Sequence, residues 1–303
     1  MINSIDGILS AAKQLEGGVI SVAAAHDDVT LQAVVETRRF GIADAVLVGH
    51  EAEIRECLTA LGESPDDYRI IHADSVPDCA KAAVREVKEG RASFLMKGLL
   101  GTADLMRAVL DRENGLRTNN LIAHCMLHET PAYPRMFIIT DGGVNTFPTL
   151  EQKADILENA ARIFQALDYE SISAACICGA ETVNPKIQAT VDAAALSEMK
   201  ERWIPYNMSV FGPVGLDLAL SPEACEHKGY HVPGAGAADI LLAPDYQVGN
   251  TVSKAATHFG SARTAGIILG AKVPIVLVSR SDSSEAKLAS IALGSLLAHR
   301  MKL

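Results

Sequence analysis

The sequence predicts an α/β fold of two doubly wound α/β/α domains, and three observations carry this prediction. The chain has 303 residues, 49% hydrophobic and 21% charged, enough to bury one large core or two medium ones. Short β-branched or apolar runs alternate with longer segments of helical period. The stretch 129–135 interrupts both periods with two prolines and predicts a crossing between domains.

Strand and helix alternate strictly over the first third of the chain. The predicted elements are strands 18–25, 43–49, 69–72 and 92–96, each followed by one of the helices 28–39, 51–61, 76–88 and 103–111. Strict alternation implies parallel strands joined by right-handed crossovers.

A second alternating set follows the prolines. Its predicted elements are strand 136–139, helix 150–167, strand 171–178, helix 187–200, strand 240–243, helix 251–259, strands 266–269 and 274–279, and a closing helix from 283. Residues 203–236 are richer in Gly and Pro and are assigned to loops and short elements.

The pattern predicts a first domain of residues 1–130 with 270–303 and a second of residues 131–269. Two such domains create an inter-domain cleft lined by the carboxyl ends of their strands, where helix N-termini attract anions. We expect the chemistry in that cleft.

Composition excludes several classes of function. A formal net charge of −10 repels polyanions, so neither nucleic acid nor an anionic membrane surface is expected as a partner. No apolar run is long enough to span a membrane and the first residues lack a signal pattern, so a cytoplasmic protein is expected. The cysteines have no C-x-x-C spacing and are interpreted as reduced core thiols: Cys57, Cys79, Cys125, Cys176, Cys178 and Cys225.

One segment, 96–104, places Lys97, Gly98 and Thr102 between a predicted strand and a predicted helix. The backbone amides of such a turn can hold a phosphate, and the lysine adds positive charge. An ordinary turn with Thr102 as its N-cap and Lys97 in solvent explains the same spacing, so both interpretations stay open. Arg117 is a second cation that could face the same place.

Further candidates for substrate binding follow the strands of the second set. Asp141 and Asn145 come after a strand, while Asn250 and Lys254 lie one helical turn apart on the same face of a helix. Simple capping explains Asp141 and Asn250 as well. The nine histidines show no ligand spacing, and His124 is the one singled out for attention.

The last motif ends a β-branched strand and opens the closing helix. Ser279 and Arg280 present a hydroxyl and a guanidinium where negative charge is favourable. Asp282 and Glu285 fit the N-cap and N3 positions of a capping box, which accounts for both.

Other matches fail. The glycine-rich stretch 234–239 lacks a third glycine and precedes a strand, whereas a dinucleotide fingerprint follows a strand and opens a helix. P-loop, nucleophile-elbow and zinc-protease motifs are absent from the sequence. The residues alone therefore indicate an anion-binding α/β enzyme and no more.

Taken together, four segments resemble the phosphate acetyl- and butyryltransferase family: 96–104, 139–145, 244–254 and 266–280. The similarity covers nearly the whole chain. Three further stretches are more similar to the butyryl branch than to the acetyl branch: 181–186, 192–196 and 221–224.

The resemblance implies reversible transfer of a short acyl group, butanoyl by preference, between coenzyme A and inorganic phosphate. It implies a fold like that of the isocitrate and isopropylmalate dehydrogenases, a homodimer, and no metal or redox cofactor. In the implied scheme the CoA thiol attacks the acyl phosphate directly, and Ser279 with Arg280 matches the family's catalytic pair. Acetyltransferases of the family carry an aspartate seven residues after that serine, where this chain has Ala286. The identity of the general base therefore stays open.

Alternative functions remain. Phosphate acetyl transfer differs only in the acyl group, whereas a silent CoA- or acyl-phosphate-binding protein would use the same site without chemistry. Oxidative decarboxylation on the same fold needs clustered aspartates around a metal and a nicotinamide site, and the sequence shows neither. Measuring acyl-CoA consumption with and without phosphate separates acyl transfer to phosphate from decarboxylation and from silent binding.

Overall fold

The computed structural model describes residues 1–15, 18–278 and 282–301. The chain divides into two compact units. We call residues 5–120 with 265–303 the first unit and residues 1–4 with 121–264 the second unit. The sequence had put the divisions at 130/131 and 269/270. Pro131 lies in the turn of a β-hairpin inside the second unit and Pro134 lies in its second strand, so these prolines do not mark a crossing between units.

Helices and strands are numbered in chain order. The strands are β1 (Val19–Ala23), β2 (Asp44–Gly49), β3 (Arg69–His72), β4 (Phe94–Lys97), β5 (Ala123–Thr130), β6 (Tyr133–Thr140), β7 (Ile172–Ile177), β8 (Met208–Val214), β9 (Ile240–Leu242), β10 (Arg263–Leu269) and β11 (Ile275–Val276). The helices are α1 (Ile5–Lys13), α2 (Asp28–Arg39), α3 (Glu51–Ala60), α4 (Val76–Lys88), α5 (Thr102–Val109), α6 (Leu150–Ala166), α7 (Gln188–Glu198), α8 (Lys200–Trp203), α9 (Leu216–Leu220), α10 (Pro222–Lys228), α11 (Tyr246–His258) and α12 (Ser284–Arg300).

In the first unit the strand order is β3-β2-β1-β4-β11-β10. The pairs from β3 to β11 are parallel, as the alternation predicted, whereas β10 and β11 are antiparallel. Chain order reverses between β1 and β4, where Ala23 pairs with Lys97. The loops that follow these two strands therefore flank a topological switch point, the usual ligand position in such sheets.

Helix α12 is buried along most of its length, with residues 287–297 all buried. It packs against α1, α2, β4 and β11. A helix buried on all sides needs no polar face, and residues 288–297 are apolar or glycine apart from Ser290 and Ser295.

The second unit has the strand order β5-β6-β9-β7-β8. β5 and β6 form an antiparallel hairpin, and β6, β9, β7 and β8 run parallel, so their carboxyl ends share one edge. Helix α6 begins with a capping box in which Thr149 and Gln152 exchange hydrogen bonds of 2.9 and 3.3 Å. Phe137, Ile139 and Leu241 lie in the core of this unit.

Candidate active site

The turn after β4 lies directly against the end of β1. The Gly98 amide donates to the Ala23 carbonyl at 2.9 Å, and the Leu99 amide donates to the Ala24 carbonyl at 2.8 Å. A Cβ atom at Gly98 would lie 2.3 Å from the Ala24 oxygen, so this close approach requires glycine.

Lys97 is not a solvated side chain, since it is only 8% exposed. Its ammonium donates to the carbonyl oxygens of Gly98 and Leu100, both at 3.2 Å. Lys97 thus places a positive charge inside the turn at the switch point, as an anion site requires.

The N-cap of α5 is Gly101, so the expectation that Thr102 caps this helix is wrong. Thr102 is instead its first helical residue. Gly101 has no side chain to accept from the first-turn amides, and the positive end of the helix dipole favours an anion there. This geometry suits the phosphate interpretation of segment 96–104, which stays a prediction.

Arg117 has an exposed side chain, and its backbone pairs with Ala271 in an isolated antiparallel bridge. Next to it, the Thr118 hydroxyl donates to the Gly270 carbonyl at 2.5 Å. These contacts fix Arg117 beside the turn between β10 and β11. Its role in substrate binding stays a prediction.

In the second unit the loop after β6 is organised by Asp141, which is 2% exposed. Its Oδ1 accepts from the amides of Gly143 and Val144 at 2.7 and 2.9 Å. Its Oδ2 accepts from the His124 amide at 3.1 Å, the Asn145 amide at 3.3 Å and Asn145 Nδ2 at 2.6 Å. The turn-capping interpretation of Asp141 therefore describes its geometry well.

The same loop is joined to α11. Asn250 Nδ2 donates to the Gly142 carbonyl at 3.0 Å. His124 lies against Gly143, where an added Cβ would be 2.7 Å from the imidazole. The structure thus brings Asn250 together with His124, Asp141 and Asn145, which come much earlier in the sequence.

Lys254 lies one turn beyond Asn250 on α11 and is exposed. α11 begins at Tyr246, with Asp245 as its N-cap accepting from the Val248 amide at 3.1 Å, five residues before the predicted start. That Asn250 and Lys254 meet Lys97 and Ser279 in one cleft stays a prediction.

Ser279 and Arg280 lie outside the described residues. The described chain resumes at Asp282, and the N-cap of α12 is Ser283, whose hydroxyl accepts from the Ala286 amide at 3.2 Å. The expected capping box of Asp282 and Glu285 is therefore wrong by one residue. Ala286 occupies N3 of this helix.

Sequence reasoning did not single out Lys287, a buried lysine of helix α12. It is 2% exposed, and its ammonium donates to the Asp282 carbonyl.

The six cysteines are free thiols. Burial raises the pKa of Cys57 and of Cys178 to about 11 and that of Cys125 to about 12. Burial likewise raises the pKa values of Cys79, Cys176 and Cys225. An activated cysteine nucleophile has a lowered pKa, so these thiols do not suit covalent catalysis.

Residues 1–15, 18–278 and 282–301 contain no cluster of three or more His, Cys, Asp or Glu side chains suited to a metal ion. Within the same ranges no helix is both long and apolar enough to cross a membrane.

Comparison with known proteins identifies the family. Residues 72–295 match the family described as phosphate acetyl/butaryl transferase. The chain belongs to this family. It is 40% identical to the phosphate butyryltransferase of Clostridium acetobutylicum, over 98% of this chain and 99% of that protein. It is 41% identical to the phosphate acetyltransferase of Thermotoga maritima, over 93% of this chain and 96% of that protein.

Solved structures agree with this membership. A branched-chain phosphotransacylase from Enterococcus faecalis superposes with a TM-score of 0.84 at 32% identity, covering 94% of this chain and all of that one. A 4-hydroxythreonine-4-phosphate dehydrogenase from Klebsiella pneumoniae shares the fold alone, with a TM-score of 0.52 at 14% identity over 93% of this chain and 99% of that one. The expected α/β fold, related to that of dehydrogenases, is confirmed.

Proposed function

We propose that this member of the phosphate acetyl/butyryltransferase family transfers a short acyl group, butanoyl by preference, reversibly between coenzyme A and inorganic phosphate. Its near full-length similarity to a phosphate butyryltransferase carries the proposal. The turn around Lys97, with its buried ammonium and close-packed glycine, supports it as a place for an anionic group.

The chemistry is a single displacement at the acyl carbon. The CoA thiol loses its proton and attacks the carbonyl of the acyl phosphate, the C–S bond forms, and the C–O bond to phosphate breaks. Attack places negative charge on the carbonyl oxygen and on the departing phosphate. Arg280 and Ser279 are the proposed donors to these oxygens, and removing one such donor typically costs about 3 kcal/mol of barrier.

An acyl-enzyme intermediate on cysteine needs a thiol with a lowered pKa, whereas the cysteines of this chain have raised pKa values. These values favour direct attack by the CoA thiol. The base that takes the thiol proton is open, because Ala286 has no carboxylate. A thiol has a pKa near 8.5, and cationic surroundings lower the pKa further. The CoA thiol then loses its proton readily, so a dedicated base contributes little.

Acetyl transfer is the second candidate, because relatives of both types have nearly the same identity to this chain. A pocket separates acyl groups that differ by one methylene by only about 1 to 3 kcal/mol. The ratio of kcat/KM for butanoyl-CoA to that for acetyl-CoA decides between them, and a ratio below one would favour acetyl transfer.

We further propose that the enzyme works in the cytoplasm as a homodimer and needs neither a metal ion nor a redox cofactor. Charge stabilisation is assigned to cationic side chains, which is why no metal is required. Loss of activity in a chelator that magnesium or manganese restores would contradict this. Light scattering of the purified chain tests the dimer.

One assay tests the proposed reaction itself. Acyl-CoA is incubated with the enzyme, with and without phosphate, and free thiol and acyl phosphate are measured. We expect both products in equal amounts and only with phosphate present. Thiol release without phosphate would indicate hydrolysis, and no release under either condition would indicate a binding protein.

A further inference from the structure

Two residues with exposed aromatic side chains are joined at the carboxyl edge of the second unit. Phe147, in the loop after β6, is 71% exposed, and Tyr246, the first residue of α11, is 36% exposed. The Tyr246 amide donates to the carbonyl of Thr146, the neighbour of Phe147, at 3.1 Å. A single exposed aromatic side chain is ordinary, whereas two held together in this way form a surface on which a flat ring can stack.

This aromatic pair, Phe147 with Tyr246, has the size of a small ligand. The residues around it are exposed and polar: Thr146, Thr149 and Gln247. A stable contact between proteins covers about 800 Å² on each partner, far more than two side chains offer. A nucleotide base needs only an aromatic surface for its face and hydrogen-bonding groups for its edge. The pair and its polar surroundings therefore suit a base better than a protein.

Helix α11 continues from the aromatic pair with an amide and an ammonium. Tyr246, Asn250 and Lys254 are each four residues apart, so they follow one side of the helix in steps of about 6 Å. Asn250 Nδ2 donates to the Gly142 carbonyl, which leaves Oδ1 to accept from a hydroxyl group. Lys254 is exposed. Aromatic ring, acceptor and cation thus follow one another in the order of base, ribose and phosphate in a nucleotide.

We propose that Phe147, Tyr246, Asn250 and Lys254 bind the nucleotide end of coenzyme A. Adenine stacks on the aromatic pair, a ribose hydroxyl donates to Asn250, and a phosphate group faces Lys254. The inference rests on the proposed function, in which coenzyme A is a substrate. Contacts to the nucleotide are remote from the reacting thiol and are the same before and during the reaction, so they set the KM for coenzyme A and leave kcat nearly unchanged.

Pantetheine tests this assignment, because it carries the reacting thiol and lacks the nucleotide. Acyl phosphate is supplied together with either coenzyme A or pantetheine. We expect Phe147→Ala and Tyr246→Ala each to raise the KM for coenzyme A by about 10-fold or more, and to leave the KM for pantetheine within about 2-fold. Tyr246→Phe keeps the ring, so its KM for coenzyme A should stay within about 3-fold of the wild-type value.

Lys254→Gln tests the phosphate end of the same site. We expect it to raise the KM for coenzyme A by about 5-fold or more at low salt and by less at high salt, because salt screens exposed charges. The KM for pantetheine should not change. An equal rise of the KM for pantetheine or for acyl phosphate would place Lys254 at another part of the substrates and contradict the assignment.

Phe259→Ala is the matched control on the same helix. Phe259 is the C-cap of α11, at the opposite end from Tyr246, and is 91% exposed. We expect wild-type KM values for both thiols in this variant. Calorimetric titration with ADP gives a second measurement, in which binding weakens in Phe147→Ala and Tyr246→Ala and stays at the wild-type level in Phe259→Ala.

The other outcomes overturn the proposal. A wild-type KM for coenzyme A in both alanine variants would mean that the aromatic pair does not bind the base. An equal rise of the KM for pantetheine would place the pair at the thiol end. A wild-type KM with a lower molar mass in light scattering would make the pair a contact between copies of the chain. A wild-type enzyme that uses neither thiol would instead refute the proposed function, and the ADP titration would still decide the nucleotide site.

Discussion

At the scale of single residues, Asp141 organises the loop after β6 through its hydrogen bonds. Its carboxylate accepts from four backbone amides and from the Asn145 side chain. Hydrogen bonds to a charged acceptor contribute more than neutral ones, and a buried donor left without its acceptor costs about 1 to 3 kcal/mol.

We expect Asp141→Asn to lower the free energy of unfolding by about 3 kcal/mol, because the new NH₂ group would face N–H donors. Urea denaturation measures this. Asp245→Asn is the control, since asparagine serves equally well as the N-cap of α11 and the change should stay within about 0.5 kcal/mol. A loss that small for Asp141→Asn as well would mean that the carboxylate does not organise the loop.

Arg280 carries the sharpest prediction for the reaction. If its guanidinium contacts the transition state, Arg280→Gln lowers kcat by a factor of about 100 or more, whereas loss of a solvated arginine changes rate and stability little. Arg280→Lys keeps the charge and loses the planar fork, so it should recover only part of the rate. Steady-state turnover at saturating substrates measures both. More than about a third of wild-type turnover in Arg280→Gln would contradict the role.

Some features of the candidate site could be predicted from the sequence, and others could not. Lys97 and Gly98 could be found because a lysine beside glycines at a strand end is a local signal. The hydrogen bonds that join His124, Asp141 and Asn250 could not, because they depend on how β5, β6 and α11 pack. Lys287 was missed because a lone lysine in a helix usually lies in solvent, and only the structure shows it buried.

At the scale of elements, local signals predicted most helices and strands. Asp27 and Ser75 cap α2 and α4 as their residue types favour, and both helices have the predicted bounds. β5 was missed because its pairing with β6 is set by a hairpin at prolines that suggested a break in structure. The short strand β8 lies in a stretch whose glycine and proline content concealed it.

His128 joins two elements of the second unit and should make its stability depend on pH. Its ring is fully buried, stacks on Phe137 with centroids 5.2 Å apart, and contacts Ser253 of α11 through Nε2 at 3.0 Å. Burial lowers the pKa of His128 from 6.5 to about 4. Between these two pKa values His128 is therefore neutral in the folded state and protonated in the unfolded chain.

The free energy of unfolding should fall as pH drops from about 6.5 to 4, because the unfolded state binds the extra proton in that window. A shift from 6.5 to about 4 corresponds to a loss of about 3 kcal/mol at the lower end. Urea denaturation at several pH values measures this for the wild type and for His128→Gln, in which the contribution is absent. The same pH dependence in both proteins would rule His128 out as its source.

For the whole molecule, each unit contains its own run of neighbouring strands, and the chain passes into the second unit just before β5 and out of it within β10. The α/β class follows from the alternation of strand and helix alone. Antiparallel pairing of β5 with β6 and of β10 with β11 does not, because it depends on strands joined by short turns instead of helices.

The cysteines extend across both units and give a prediction about the whole chain. At pH 8 a thiol with a pKa of about 11 is ionised to only about one part in a thousand, against about a quarter for an ordinary thiol. Iodoacetamide should therefore leave the native enzyme unlabelled and active over times that fully label the chain in urea. Mass spectrometry counts the labels, and six are expected in urea. Rapid labelling of Cys57 or Cys178 in the native enzyme, with loss of activity that acyl-CoA prevents, would place a reactive thiol at the site and contradict direct attack by CoA.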